Sequence, residues 1–208
     1  MIIERSGDQA VTHGARLPLD IARTLEAAGV TLESIDLLAV VAGPGSFTGL
    51  RIGIAAMQGL AFARGLKIVP VSALEAIARQ ARRTDPSERT IAAWVDAHRG
   101  EVFAARYGGA PLIEQSAPTV ASPEDTVRAY GEAPPLFFAG DGAVRYRAVI
   151  ATALGERAEV QTETAALAAE AALFAASHSD RAVAPSAVIP IYVRRPDVEL
   201  TRDRARTR

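Results

Sequence analysis

"VVAGPGSFTGLRIG", residues 40–53, sets four glycines, a proline and two hydroxyls directly behind an apolar run. The run Leu37–Ala42 is short, continuous and apolar, which predicts a strand buried on both faces. Ser46 is placed to cap a helix over Phe47–Arg64, Gly65 to end it, and Leu66–Val69 to return as a second strand. Strand, helix and strand in this order predict a parallel crossover. The glycine turn therefore joins a strand to a helix, and its chemistry is the first question.

Three known glycine-loop chemistries fit poorly. Lys67 is the only lysine and stands a whole helix beyond the glycines, so a phosphate loop ending in Gly-Lys is excluded. A nucleophile elbow around Ser46 needs glycine where Pro44 and Thr48 stand. Gly43, Gly45 and Gly49 come nearer a dinucleotide fingerprint, but the third is one residue late and no acid closes the next strand. What is left is a turn whose N–H groups could face an anion, or glycines that simply permit the bend.

The rest of the chain sets bounds. Among 208 residues, 49% are hydrophobic and 23% charged, with a formal net charge of −1, as in an ordinary globular protein. No stretch approaches the roughly 20 apolar residues of a membrane span, and the start carries no secretory pattern, so a cytoplasmic location is expected. With no cysteine there is no disulfide, thiolate nucleophile or thiolate zinc site. His13, His98 and His178 are not spaced as a metal pair. His13 reads as a cap or a surface group.

Outward from the opening stretch, Leu17, Ile21 and Leu25 recur at helical spacing before Gly29, predicting a helix over 15–28. Ser72-Ala-Leu-Glu75 reads as a capping box opening a helix to about Arg83. After a polar break, Thr90–Asp96 and Glu101–Tyr107 predict a hairpin. Ser122 followed by Pro123 starts another helix, Leu136–Ala139 a buried strand, and 165–177 an alanine-rich helix. Trp94 reads as core. Asp96 and Glu101 are either an acid pair or charges at a hairpin end, and Asp141 either a ligand loop or a plain turn.

Gly49, Gly53 and Gly59 within one helix each cost about 1 kcal/mol relative to alanine. Three such costs predict that something approaches that helix closely. Leu50, Ile54 and Met57 form an apolar stripe that packs either on the chain's own sheet or on another protein; spacing alone does not decide.

Gly43-Pro-Gly-Ser-Phe-Thr-Gly-Leu-Arg-Ile-Gly53, Val71-Ser-Ala-Leu-Glu75, Val95-Asp-Ala-His-Arg-Gly-Glu-Val-Phe103, Gly140-Asp-Gly142 and Pro190-Ile-Tyr-Val-Arg194 together resemble the TsaB (YeaZ) family, also filed as M22 glycoprotease-like. The resemblance implies an α/β fold of the actin/Hsp70/sugar-kinase (ribonuclease H-like) type, in two lobes with the second reduced. It implies a first lobe over 1–86, a second over 87–193, and an Arg-rich tail over 194–208, expected to be solvated and disordered, with nucleic-acid binding as the alternative.

It also implies a role. The chain would be a noncatalytic partner of TsaD, with TsaE, in threonylcarbamoylation of adenosine 37 of tRNAs reading ANN codons. It would be a homodimer when alone and would meet tRNA only through the complex. The expected contact carries Leu17, Ile21 and Leu25 together with Leu50, Gly53, Ile54, Met57 and Phe62; the signature loop is Gly43, Pro44, Gly45, Ser46, Phe47, Thr48 and Gly49. The catalytic relative holds metal through an H-x-x-x-H pair, and here Ala73 and Ile77 stand in those places. No metal, no catalytic residue and no resident cofactor are expected, with weak ADP or ATP binding at most in the complex. The alternatives are an active peptidase or phosphotransferase of the superfamily, or a nucleotide-binding module. The opening strand and hairpin of family members have no counterpart before Ile2-Ile-Glu-Arg5, so the first sheet is expected to be short, with an open edge.

Overall fold

A computed structural model describes residues 3–7, 13–85, 87–131, 134–164 and 166–194. In chain order the elements are α1 (His13–Ala28), β1 (Leu37–Gly43), α2 (Phe47–Arg64), β2 (Lys67–Ser72), α3 (Ala73–Thr84), β3 (Thr90–Asp96) and β4 (Val102–Gly108). There follow β5 (Ile113–Ala121), α4 (Pro123–Tyr130), β6 (Leu136–Ala139), α5 (Asp141–Arg145), α6 (Arg147–Leu154), β7 (Ala158–Val160) and α7 (Ala168–Ser177).

Local chemistry sets most of these boundaries. The Ser46 side chain accepts from the Gly49 N–H, and Gly65 closes α2 in the left-handed conformation. Ser72 accepts from the Glu75 N–H at 3.4 Å. The Glu75 carboxylate turns to Arg79 at 2.9 Å, so only half of the expected capping box forms. Ser122 caps α4, with Pro123 in its first turn.

Two sheets result. β1 and β2 pair in parallel, and a second sheet runs β5-β4-β3-β6-β7, with β3, β6 and β7 parallel and β4 antiparallel to both neighbours. β1 is covered on both faces, as its composition requires. Val40 and Ala42 pack with Ile54 of α2. Ala39 and Val41 pack against the group holding Phe174 of α7.

The expected two-lobed α/β fold is present, and its first sheet is short, as expected. Among the described residues the first lobe has two strands and the second five, because β1 pairs with β2 on one edge and gains no strand on the other. The lobes also exchange helices. α3 packs its Leu74, Ile77 and Ala81 onto Ile91, Ala93 and Phe137 of the second sheet. Residues 167–191, assigned on sequence to the second lobe, return to the first: Ala171 and Phe174 join Val69 and Val71, and Val188 joins Val40 and Ile68.

β5 and β7 are strands without a sequence signature. β5 lies at a sheet edge, where Pro118 is tolerated beside a register shift opposite Ala104 and Arg106. β7, at the other edge, has three residues. The tail beyond Arg194, the boundary at Pro86 and the His13 side chain fall outside what is described.

Candidate functional site: the signature loop, the cleft and the helix face

The signature loop bends for a reason found elsewhere in the chain. Gly43 has φ +121°, and a Cβ there would stand 2.8 Å from the Ile191 carbonyl oxygen. Glycine is thus required at Gly43 on two counts. Around Gly45, Gly53 and Gly59 a Cβ would meet nothing within 4 Å, and at Gly49 only the Ser46 side chain at 3.5 Å. The chain's own packing asks for one of the signature glycines and leaves the others free.

Pro44, Gly45, Ser46, Phe47 and Thr48 line one wall of a cleft of about 480 Å³. The β3–β4 turn, Asp96 to Arg99, lines another, and Ile191 to Arg194 a third. Phe47 stacks on Tyr192 with centroids 5.6 Å apart. The Arg51 guanidinium lies 3.9 Å over Phe47 and donates from Nε to the Tyr192 hydroxyl at 3.2 Å.

The acids at the cleft are each engaged separately. Asp96 accepts from Arg145 at 3.1 Å and from the His98 backbone N–H at 3.1 Å. Glu101 pairs with Arg194. Acid–base work by two carboxylates needs a shared reacting centre, and here each carboxylate has its own arginine. Asp141 Oδ1 accepts from the N–H groups of Asp96, at 3.1 Å, and Gly142, at 2.8 Å. It ties a turn together. Gly142 presses on the Val95–Asp96 backbone, with a Cβ there 2.9 Å from the Val95 carbonyl carbon.

The most shifted protonation equilibria sit in packed positions outside the cleft. Burial pushes Tyr130 up to about 12, and burial with the Glu114 carboxylate pushes Tyr107 well above the ordinary phenol range. Burial also raises Glu170, against the pull of Arg83 and Arg79. Perturbed groups often mark catalytic centres; these mark the core. Among the described residues no group of three potential metal ligands comes together, and no helix is long and apolar enough to cross a membrane. Ala73 and Ile77 lie on α3, 4% and 6% exposed.

The expected contact residues divide. Leu17, Ile21 and Leu25 are half-buried along a groove of about 730 Å³ that also holds Arg5 and Thr24. Ile54, expected at a contact, is 4% exposed and belongs to the core on β1, with Met57 packed beside it. Leu50 turns the same way, toward Gly43. The correction is one of helix phase: residues 50, 54, 57 and 61 share the face that the strand covers. The outward face of α2 carries Arg51, Ala55, Gly59 and Phe62 instead, the last 83% exposed. On α1, Leu19 is 51% exposed; it lies off the amphipathic stripe, so helical spacing gives no sign of it.

Residues 8–203 match the model of the family described as TsaD: tRNA N6-adenosine threonylcarbamoyltransferase. The chain belongs to this family. It is 42% identical over 95 residues to the tRNA threonylcarbamoyladenosine biosynthesis protein TsaB of Escherichia coli (strain K12), covering 46% of this chain and 41% of that protein. The matches to this TsaB and to that of Haemophilus influenzae span about two-fifths of those relatives' length. An uncharacterized protein of Mycobacterium tuberculosis is 31% identical over 196 residues, 94% of this chain and 82% of the relative. Among solved structures, a Pseudomonas aeruginosa protein described as similar to peptidase YEAZ superposes with a TM-score of 0.73 at 30% identity, over 88% of this chain and 85% of its own. The resemblance to TsaB and YeaZ carried by the signature blocks is borne out.

Proposed function

We propose that this chain acts as a docking subunit, without catalysis of its own, in the threonylcarbamoylation of adenosine 37 of ANN-decoding tRNAs. Its partner is a TsaD-type transferase, joined by TsaE. The observation that carries the reading is on α3. Where the catalytic relative is expected to present two imidazoles, Ala73 and Ile77 offer no lone pair; both are buried, Ile77 in the core against the second sheet. The TsaB names of the relatives support the same pathway.

The remaining features suit such a role. The outward faces of α1 and α2 present Leu19 and Phe62 to solvent. Gly59, on the same outward face as Phe62, lets a partner helix approach closely, since no neighbour fills the space beside it. Gly53, equally free of neighbours, lies about 180° round α2 from Phe62 and offers a separate approach. The same surface would serve a homodimer when the transferase is absent. No resident metal or cofactor is required, tRNA is met through the complex, nucleotide binds weakly at most in that complex, and the cytoplasm is the compartment.

Co-purification with TsaD and TsaE from the source cell, followed by nucleoside analysis of tRNA from a depleted strain, tests this. The expected outcome is loss of threonylcarbamoyladenosine on depletion, restored by the intact chain and not by a Phe62→Asp variant that folds normally. Hydrolysis of ATP or of peptide by the purified chain alone would overturn the noncatalytic part.

A further inference from the structure

Residues 183–194 run from the first sheet to the second lobe, and every few residues they are tied down. Val183 exchanges backbone hydrogen bonds with Ile68, at 2.9 and 3.0 Å. Gln58 of α2 donates from one nitrogen to the carbonyls of Pro185, at 2.9 Å, and Val188, at 3.0 Å. Ile191 donates its N–H to the Ala42 carbonyl at 2.8 Å. Tyr192 is held by Arg51 and by the Phe47 ring. Each of these ties is to β1, β2 or α2.

Arg194 then crosses over. One guanidinium nitrogen donates to the Ala97 carbonyl at 3.0 Å, and another meets the Glu101 carboxylate. Its plane lies over Phe103, 5.6 Å from the ring centroid. Ala97 and Glu101 are the two ends of the β3–β4 turn, joined by their own backbone bond of 3.0 Å. One side chain grips both ends of that turn.

We propose that residues 183–194 are a strap that latches the second lobe to α2, with Arg194 as the catch. Among the described residues the lobes are also connected by the exchanged pair of helices, α3 on the second sheet and α7 on the first. A pair of packed helices permits sliding or rotation of one body on the other. The strap removes that freedom, because it spans the cleft and forms one of its walls. A planar, forked and permanently charged group suits the catch: it serves a carbonyl and a carboxylate at once, which a lysine ammonium does less well. Because the anchors Arg51 and Gln58 are on α2, whatever docks on α2 is coupled through the strap to the position of the second lobe. This holds whichever partner docks there.

The absence of cysteine makes the test clean. Spin labels on Ala63→Cys, in α2, and Thr152→Cys, in α6, report the distance between lobes by pulsed electron resonance. The chain with only these two changes should give one narrow distribution. Arg194→Ala should broaden it and shift it outward, and Arg194→Lys should fall between. Arg128→Ala, which removes an exposed pair with Asp125 in the second lobe, should leave it unchanged. A folded Arg194→Ala variant with the original distribution, or equal broadening from Arg128→Ala, overturns the proposal. If Arg194→Ala does not fold by circular dichroism, Glu101→Gln is measured in its place: a broadened distribution supports the latch, and an unchanged one overturns it.

Discussion

The indole N–H of Trp94, on β3, donates to the Tyr130 hydroxyl, on α4, at 2.8 Å. Trp94 is fully buried and meets Phe138 edge-on at 5.3 Å, so that N–H has no route to water. Tyr130→Phe keeps the ring and removes the acceptor. It should cost about 1–3 kcal/mol, the penalty of an orphaned buried donor. Denaturant unfolding followed by Trp94 fluorescence measures it, and a change much below that range would mean the indole finds another acceptor.

Ile54 and Gly53 are neighbours in sequence with opposite expected phenotypes. Ile54→Ala opens a void beneath β1 and should lose about 2–5 kcal/mol of stability. Gly53→Leu projects into free space and should leave unfolding midpoints unchanged or raised, while weakening self-association and capture of a TsaD-type partner. Sedimentation velocity and pull-down on the folded variant separate the two effects. Full association by Gly53→Leu would place the docking surface elsewhere.

The signature glycines should respond unequally to alanine. Gly43→Ala drives a methyl into the Ile191 carbonyl from a backbone conformation that L-residues avoid, and about 1–3 kcal/mol is the expected loss. Gly45→Ala meets no atom and should fold as the parent does. Equal midpoints for both in a urea titration would contradict this account of the loop.

Glu170 makes stability depend on pH in a defined direction. Burial holds its carboxyl above the ordinary 4.5 in the folded chain, although Arg83 approaches to 2.6 Å. The folded state therefore binds that proton more tightly than the unfolded state. Its contribution is most favourable below 4.5 and is lost as pH climbs from there through the raised value. Glu170→Gln should flatten this part of the stability curve. Unfolding midpoints across a pH series check it; an unchanged slope would remove Glu170 as the source.

Much of the fold is legible in the sequence because local rules act over a few residues. Ser46, Gly65, Ser72 and Ser122 stand at helix ends where their chemistry predicts caps, and the turn between β3 and β4 falls between two β-rich runs. The edge strands are not legible, since β5 mixes polar residues with Pro118 and draws its strand character from pairing with β4.

The amino-acid order by itself determined the elements other than the edge strands β5 and β7, the helix caps, the strand–turn–helix of the signature and the family likeness, all of which depend on neighbours along the chain. Only the tertiary structure decided which side of α2 is inside, why Gly43 cannot be replaced, and that Arg194 belongs to the β3–β4 turn. Each of those depends on a partner more than ninety residues away in sequence or on a sheet face, and periodicity carries no record of which face a distant segment will cover.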